Sequence, residues 1–89
     1  MKKIAQVVEV AEDGLESFLG EHIMVFCANY IYCGILDGIN NTFIKLTDAH
    51  IVYETGSFAD KSYKDKQLLP SGVAYVMIHA IEHFGPGKR

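Results

Sequence analysis

Four histidines, His22, His50, His79 and His83, and two cysteines, Cys27 and Cys33, are the side chains of this 89-residue chain best suited to hold a metal or move a proton. Cys27-x5-Cys33 followed by His79-x3-His83 contains the ligand types of tetrahedral zinc. Its spacing argues against such a site, because zinc knuckles set their cysteines about two to four residues apart. On a strand, His79 and His83 would share a face two pleats apart, too far for easy joint ligation. No serine sits in a nucleophile elbow, no glycine-rich loop opens a helix, and no carboxylate pair lies in an apolar run that would raise a pKa. The expectation is a protein that is not an enzyme and uses no metal or cofactor. One stretch carries a different chemistry: Lys61, Ser62, Tyr63, Lys64 and Lys66 place cations around an aromatic ring. That composition suits single-stranded nucleic acid, and equally suits a solvated loop.

Composition narrows the setting. Hydrophobic residues make up 49% and charged residues 21%, which excludes a disordered chain, and the length allows one small domain, here 1–89. A domain this small buries too little surface to be very stable alone, so self-association is the expected source of further burial. No apolar run is long enough to span a bilayer. The apolar stretch after Met1-Lys2-Lys3 is broken by Glu9, Glu12 and Asp13, so a secretory signal is not expected and a cytoplasmic setting is. In that setting Cys27 and Cys33 are read as reduced, buried thiols. The net charge of −3 counts against nucleic-acid binding, although a local patch can differ in sign from the whole.

The elements that must position these side chains are mostly strands. Ile23, Val25 and Cys27 alternate, the mark of a strand with one buried face over 22–28. A hairpin partner follows over 30–39, in which Gly34 is expected where the strand bends sharply or lies close to another backbone. Asn40 and Asn41 supply turn chemistry, and a third strand runs over 42–53. Residues 54–72 read as a long variable loop. The almost wholly apolar run 73–78 reads as a strand buried on both faces, 79–84 as a short last strand, and 85–89 as a tail. Within 3–19, Ile4, Val7, Val8, Ala11, Leu15, Phe18 and Leu19 fall at helical spacing, yet the valines are β-branched and Gly14 intervenes. Either most of this segment is helical, or the first ten residues of the chain are extended and only Glu12 to Leu19 are helical.

The order Leu19-Gly20, Ile23-x-Val25-x-Cys27, Tyr32-x-Gly34-x-Leu36, Asn40-Asn41, then Ile44-x-Leu46-x-Asp48-Ala49 resembles the first motif of the Sm and Sm-like RNA-binding family. Met77-Ile78-His79-Ala80-Ile81 is similar to its short second motif, closest to the bacterial host-factor (Hfq) branch. The resemblance implies an all-β fold with an N-terminal helix: a strongly bent, five-stranded antiparallel sheet forming a small open barrel. Leu15, Phe18 and Leu19 of the helix would face inward. It also implies a cyclic homo-oligomer in which the 73–78 strand of one copy pairs with the 79–84 strand of the next.

In this family RNA bases are read by the turn before the third strand and the turn between the last two strands. The corresponding residues are Asn40, Asn41, Thr42 and Phe43 in the first turn and His79 in the second. Counting from Gly34 puts Ile44 where the family has its base-bonding Asn, whereas counting back from Asp48-Ala49 puts Phe43 there; the second count is preferred because it sets Ile44 and Leu46 on the core face with Lys45 outside, while the first would bury Lys45. The family's cation in the second turn corresponds to Ile78. A pocket so altered cannot give full uridine readout, and Lys61, Lys64 and Lys66 would have to supplement it from an outer face. Asn40 and Asn41 are also plain turn formers, Phe43 a packing residue and His79 a turn histidine. Two functions from different classes stay open: a ring-forming, RNA-associated protein with a weakened pocket, and a ring that acts as a protein-interaction scaffold without RNA.

Overall fold

A computed structural model describes residues 14–88. Those residues form a small all-β domain built on a six-stranded antiparallel sheet, with no α-helix. The strands are β1 (His22–Cys27), β2 (Ile31–Ile39), β3 (Phe43–Glu54), β4 (Asp65–Leu68), β5 (Val73–Met77) and β6 (Ile81–Pro86). Their order is β4-β3-β2-β1-β6, and β5 pairs the first half of β3 while β4 pairs its second half.

Period-2 patterning explains the layers. Ile23, Val25, Leu36, Ile44, Leu46 and Ala49 are fully buried and form one core with Ala74 and Val76. Each large aliphatic side chain taken from water there stabilises the fold by about 1.5–3 kcal/mol. Lys45, between two of them, points outward and meets Asp37 at 3.8 Å, an exposed pair of little energetic weight. The opposite face is not bare. Met24, Cys33 and Val52 are buried there beneath Tyr63, with Phe26 and Ile31 packed around them.

Gly34 is required by close approach. A Cβ at this position would lie 2.8 Å from the Thr47 carbonyl oxygen and 3.2 Å from the Ala49 Cα. The β2–β3 register shifts between Cys33 and Ile35, and opposite the shift Asp48 adopts φ 49°, the left-handed region. A second shift follows between Leu36 and Gly38.

Several expectations are corrected. The sheet is neither closed nor strongly curled, so the strongly bent barrel expected from Gly34 is absent; the bulges absorb the local strain within an open sheet. Of the helix expected within 3–19, the described part, 14–19, holds a 3₁₀ turn, Leu15–Phe18, in place of an α-helix; residues 3–13 lie outside the described residues. Leu15 and Phe18 pack on the core, whereas Leu19 is exposed. The 73–78 run is buried on one face alone: Ala74 and Val76 point inward, Tyr75 and Met77 outward at 61% and 49% exposure. The last strand starts later than 79 because Ile78–Ala80 form a 3₁₀ turn. The 54–72 loop contains β4, a 3₁₀ turn at Pro70–Gly72 and the buried Tyr63, since its alternating charges obscure one short strand and one anchoring ring. The 85–89 tail is instead ordered through residue 88: β6 runs to Pro86, and the Gly87 N–H donates to the His22 carbonyl at 3.0 Å.

Replacing Gly34 by Ala should destabilise the protein by about 1–3 kcal/mol, because the added methyl meets backbone that cannot yield cheaply. Urea denaturation followed by circular dichroism measures it, and an unchanged midpoint would show that the β2–β3 crossing has slack.

Candidate nucleic-acid interface

The β2–β3 hairpin turns through a single side chain. Asn40 Oδ1 accepts from the Thr42 N–H at 2.7 Å and the Phe43 N–H at 2.8 Å, while the Asn40 N–H donates to the Phe43 carbonyl at 3.0 Å. This is the turn-forming use of Asn, in which a side-chain oxygen mimics a backbone acceptor. Asn41 and Thr42 remain exposed at the tip.

The second turn packs against the first. The Ile78 N–H donates to the Thr42 carbonyl at 2.9 Å, and Phe43 stands opposite Met77 in the β3–β5 ladder. Asn40, Asn41, Thr42, Phe43 and the exposed His79 therefore share one end of the sheet. Phe43 is committed in part, with its ring edge-on to Tyr75 at 5.4 Å between centroids.

The loop lysines are elsewhere. Lys66 pairs with Val52 near the far end of β3, and nine residues of extended strand separate Val52 from Phe43, up to about 30 Å. Lys64 lies 3.5 Å from Glu54, Lys66 sits over the Tyr63 ring at 5.8 Å, and Lys61 is exposed. Tyr63 itself is buried at 6% exposure, so it cannot be the base-stacking aromatic that the Lys61–Lys66 composition suggests. With Asp60 and Asp65 beside these three lysines in the chain, most of their charge is offset and the stretch is not a strongly basic patch.

Two features escaped the sequence reading. A groove of about 760 Å³ opens beside β5, lined by Tyr30, Tyr32, Tyr75, Met77, His79 and Glu82 among others. Tyr30 and Tyr32 lie 6.2 Å apart in it. Their signal was present as alternating tyrosines, but only the fold brings Tyr75 to them. The second feature is Lys88, whose ammonium is held by the 55–62 backbone.

The cysteines face opposite sides of the sheet, Cys27 half-buried against the main core and Cys33 under Tyr63. Burial pushes both thiols above the ordinary range, with the Glu82 charge adding to the effect at Cys27. Both are therefore protonated, weakly nucleophilic thiols near neutral pH.

No protein-family model, no curated protein and no solved structure matches this chain.

Truncating Asn40 to Ala should cost about 1–2 kcal/mol, since the Thr42 and Phe43 N–H groups lose their shared acceptor, whereas Asn41→Ala should stay within about 0.5 kcal/mol. Thermal unfolding of the two variants compares them directly. Equal losses would mean that Asn40 is not the residue that holds the turn.

Proposed function

We propose that this chain is a ring-forming protein of the Sm-like type that contacts single-stranded RNA through a weakened pocket at the end of the sheet. The observation that carries the reading is the strand path β5-β3-β2-β1-β6, in which the consecutive strands β5 and β6 end up at opposite ends of the ladder. On this reading the open sheet leaves its β5 and β6 edges to be filled by neighbouring copies.

Hydrogen-bond parity supports it. The Ile78 N–H faces β3, and Phe43 spends its backbone groups on Asn40, so alternation turns the N–H and C=O groups of Tyr75 and Met77 away from β3. On β6, the Gly87 N–H faces β1, and the same alternation turns Phe84 and Pro86 outward, up to the bulge at Glu82. Pro86 then sits where no ladder bond to β1 is lost. Among the described residues each edge pairs with nothing, and β5 adds exposed Tyr75 and Met77. Apolar strands with unpaired edges invite a second chain, and a head-to-tail contact between unlike edges closes into a ring.

RNA contact rests on Asn41, Thr42 and His79, gathered at one rim and repeated in each copy, so that several weak sites act together. The second reading is a protein-interaction scaffold of the same architecture without RNA. It is favoured by the charge: the protein carries net −3, Lys45 near the rim faces Asp37, and the loop lysines lie at the other end of β3.

Light scattering should give a mass several times that of one chain at micromolar concentration. Tyr75→Pro removes an outward N–H without touching the β3 ladder and should yield monomers, whereas Tyr75→Thr retains the N–H and should remain assembled. A stable wild-type monomer would end the ring reading. Titration of labelled oligouridine should show modest affinity that falls as salt rises, and Asn41→Ala with His79→Ala should weaken it several-fold. No binding by wild-type protein at low salt would leave the scaffold reading.

A further inference from the structure

The 55–64 segment leaves the sheet at Glu54 and returns at Asp65, and these two residues are partners in the β3–β4 ladder. The excursion is thus closed at its base independently of its contents. Its own bonds are internal: Thr55 Oγ1 donates to the Gly56 carbonyl, the Asp60 N–H to the Ser57 carbonyl, and the Ala59 N–H to Ser57 Oγ. Among the described residues, it is tied across to the rest of the fold by Tyr63, which packs on Met24, Cys33 and Val52 and meets the Cys33 side chain, and by Lys88. The ammonium donates to the carbonyls of Thr55 at 2.9 Å, Ser57 at 2.8 Å and Ser62 at 3.2 Å, which uses all three of its protons. The Lys88 backbone N–H donates to the Tyr63 hydroxyl at 3.0 Å, and its ammonium lies 5.1 Å from the Tyr63 ring centre.

Beneath this knot lies a small core. Tyr63 covers Met24, Cys33 and Val52, and Cys33 is 3% exposed. The covering is loose at its margin. Phe58 is 70% exposed and overhangs a void of about 460 Å³ that it shares with Met24, Phe26, His83 and Lys88. Lys88 is held in place from the other side, since Gly87 packs so tightly on β1 that a Cβ would lie 2.6 Å from the Ile23 carbonyl carbon. One cation fixed to β1 through the backbone therefore gathers a segment that has few other ties to the sheet.

We propose that the 55–64 segment is a latched cover over the second face of the sheet, held shut by Lys88 and able to open while the sheet stays folded. Opening uncovers Cys33 together with the apolar side chains of Met24, Val52 and Phe26. A sub-global opening of this kind is expected where the base is a closed ladder pair and the remaining contacts are few.

The reactivity of Cys33 reads the latch. N-ethylmaleimide adds to a thiolate across its double bond, forming one carbon–sulfur bond and taking a proton on the neighbouring carbon, so each opening that lasts long enough leaves a permanent mark. The full chain is labelled over time and both cysteines are quantified by peptide mass, Cys27 serving as the internal comparison. In Lys88→Met, which keeps the stem and removes the charge, Cys33 should react about tenfold faster or more while Cys27 changes less than about twofold. Lys88→Arg should restore part of the protection, and Tyr63→Phe, a gentler variant that loses only the hydroxyl, should fall between wild type and Lys88→Met. In urea below the unfolding transition the Cys33 rate should be nearly flat, because a local opening exposes little surface. A Cys33 rate unchanged in both Lys88→Met and Tyr63→Phe overturns the proposal. So does a rate that rises with urea as steeply as global unfolding, or a parallel rise at Cys27.

Discussion

The carbonyl oxygen of Thr47 stands 2.8 Å from where a side chain at position 34 would begin, and most of the architecture depends on that position being glycine. At this crossing β2 and β3 slip register and Asp48 takes a left-handed conformation. Beyond it, β3 changes its outer partner: Phe43–Thr47 pair with β5, and His50–Glu54 with β4. A single long strand thereby carries two neighbours on one edge. The bulge is what lets the fold place β4 and β5 end to end there, where a regular ladder would have offered one continuous edge.

This division separates two kinds of surface. At the β5 end lie apolar and aromatic groups, with Phe43, Tyr75 and Met77 beside the 40–43 turn and His79. At the β4 end lie the charges, Lys64 against Glu54 and Lys66 over Tyr63. Edge strand β4, with Asp65 and Lys66 in its four residues, carries the charges that discourage pairing with another chain, whereas β5 carries none. The asymmetry makes β5 the uncharged edge and β4 the charged one. It also keeps the loop lysines away from the 40–43 turn, where Lys45 faces Asp37, so charge contributes little to holding a polyanion there.

The two faces of the sheet are covered by different means. The main face buries branched aliphatic residues of five strands, with Leu15 and Phe18 of the 3₁₀ turn against them. The other is covered by one ring, Tyr63, drawn from a loop and fastened by Lys88. Stability on the first face is distributed over many contacts, and on the second it is concentrated in a few polar ones. Local differences in stability follow from such contrasts.

The amino-acid sequence by itself determined the strands with strong alternation. Ile23 and Val25, Leu36, and Ile44 and Leu46 are inward wherever the chain is folded as a sheet, because a slip of one residue would bury Lys45 and expose both its neighbours. It also marked Gly34 as a place of sharp bending or close backbone approach, of which the structure has the close approach, and Asn40 and Asn41 as turn formers, of which Asn40 holds the turn. Tertiary structure decided the rest. Only pairing with β3 shows β4 to be a strand, since four residues bearing Asp and Lys carry no pattern of their own. Only the fold shows that Tyr75 and Met77 face out of an apolar run, because hydrophobicity records a preference for burial and not the partner that provides it. The N–H of Ile78 against the carbonyl of Thr42, and Lys88 against Tyr63, join residues 36 and 25 positions apart. Such contacts are set by where strands cross in space, and nothing in local spacing encodes them.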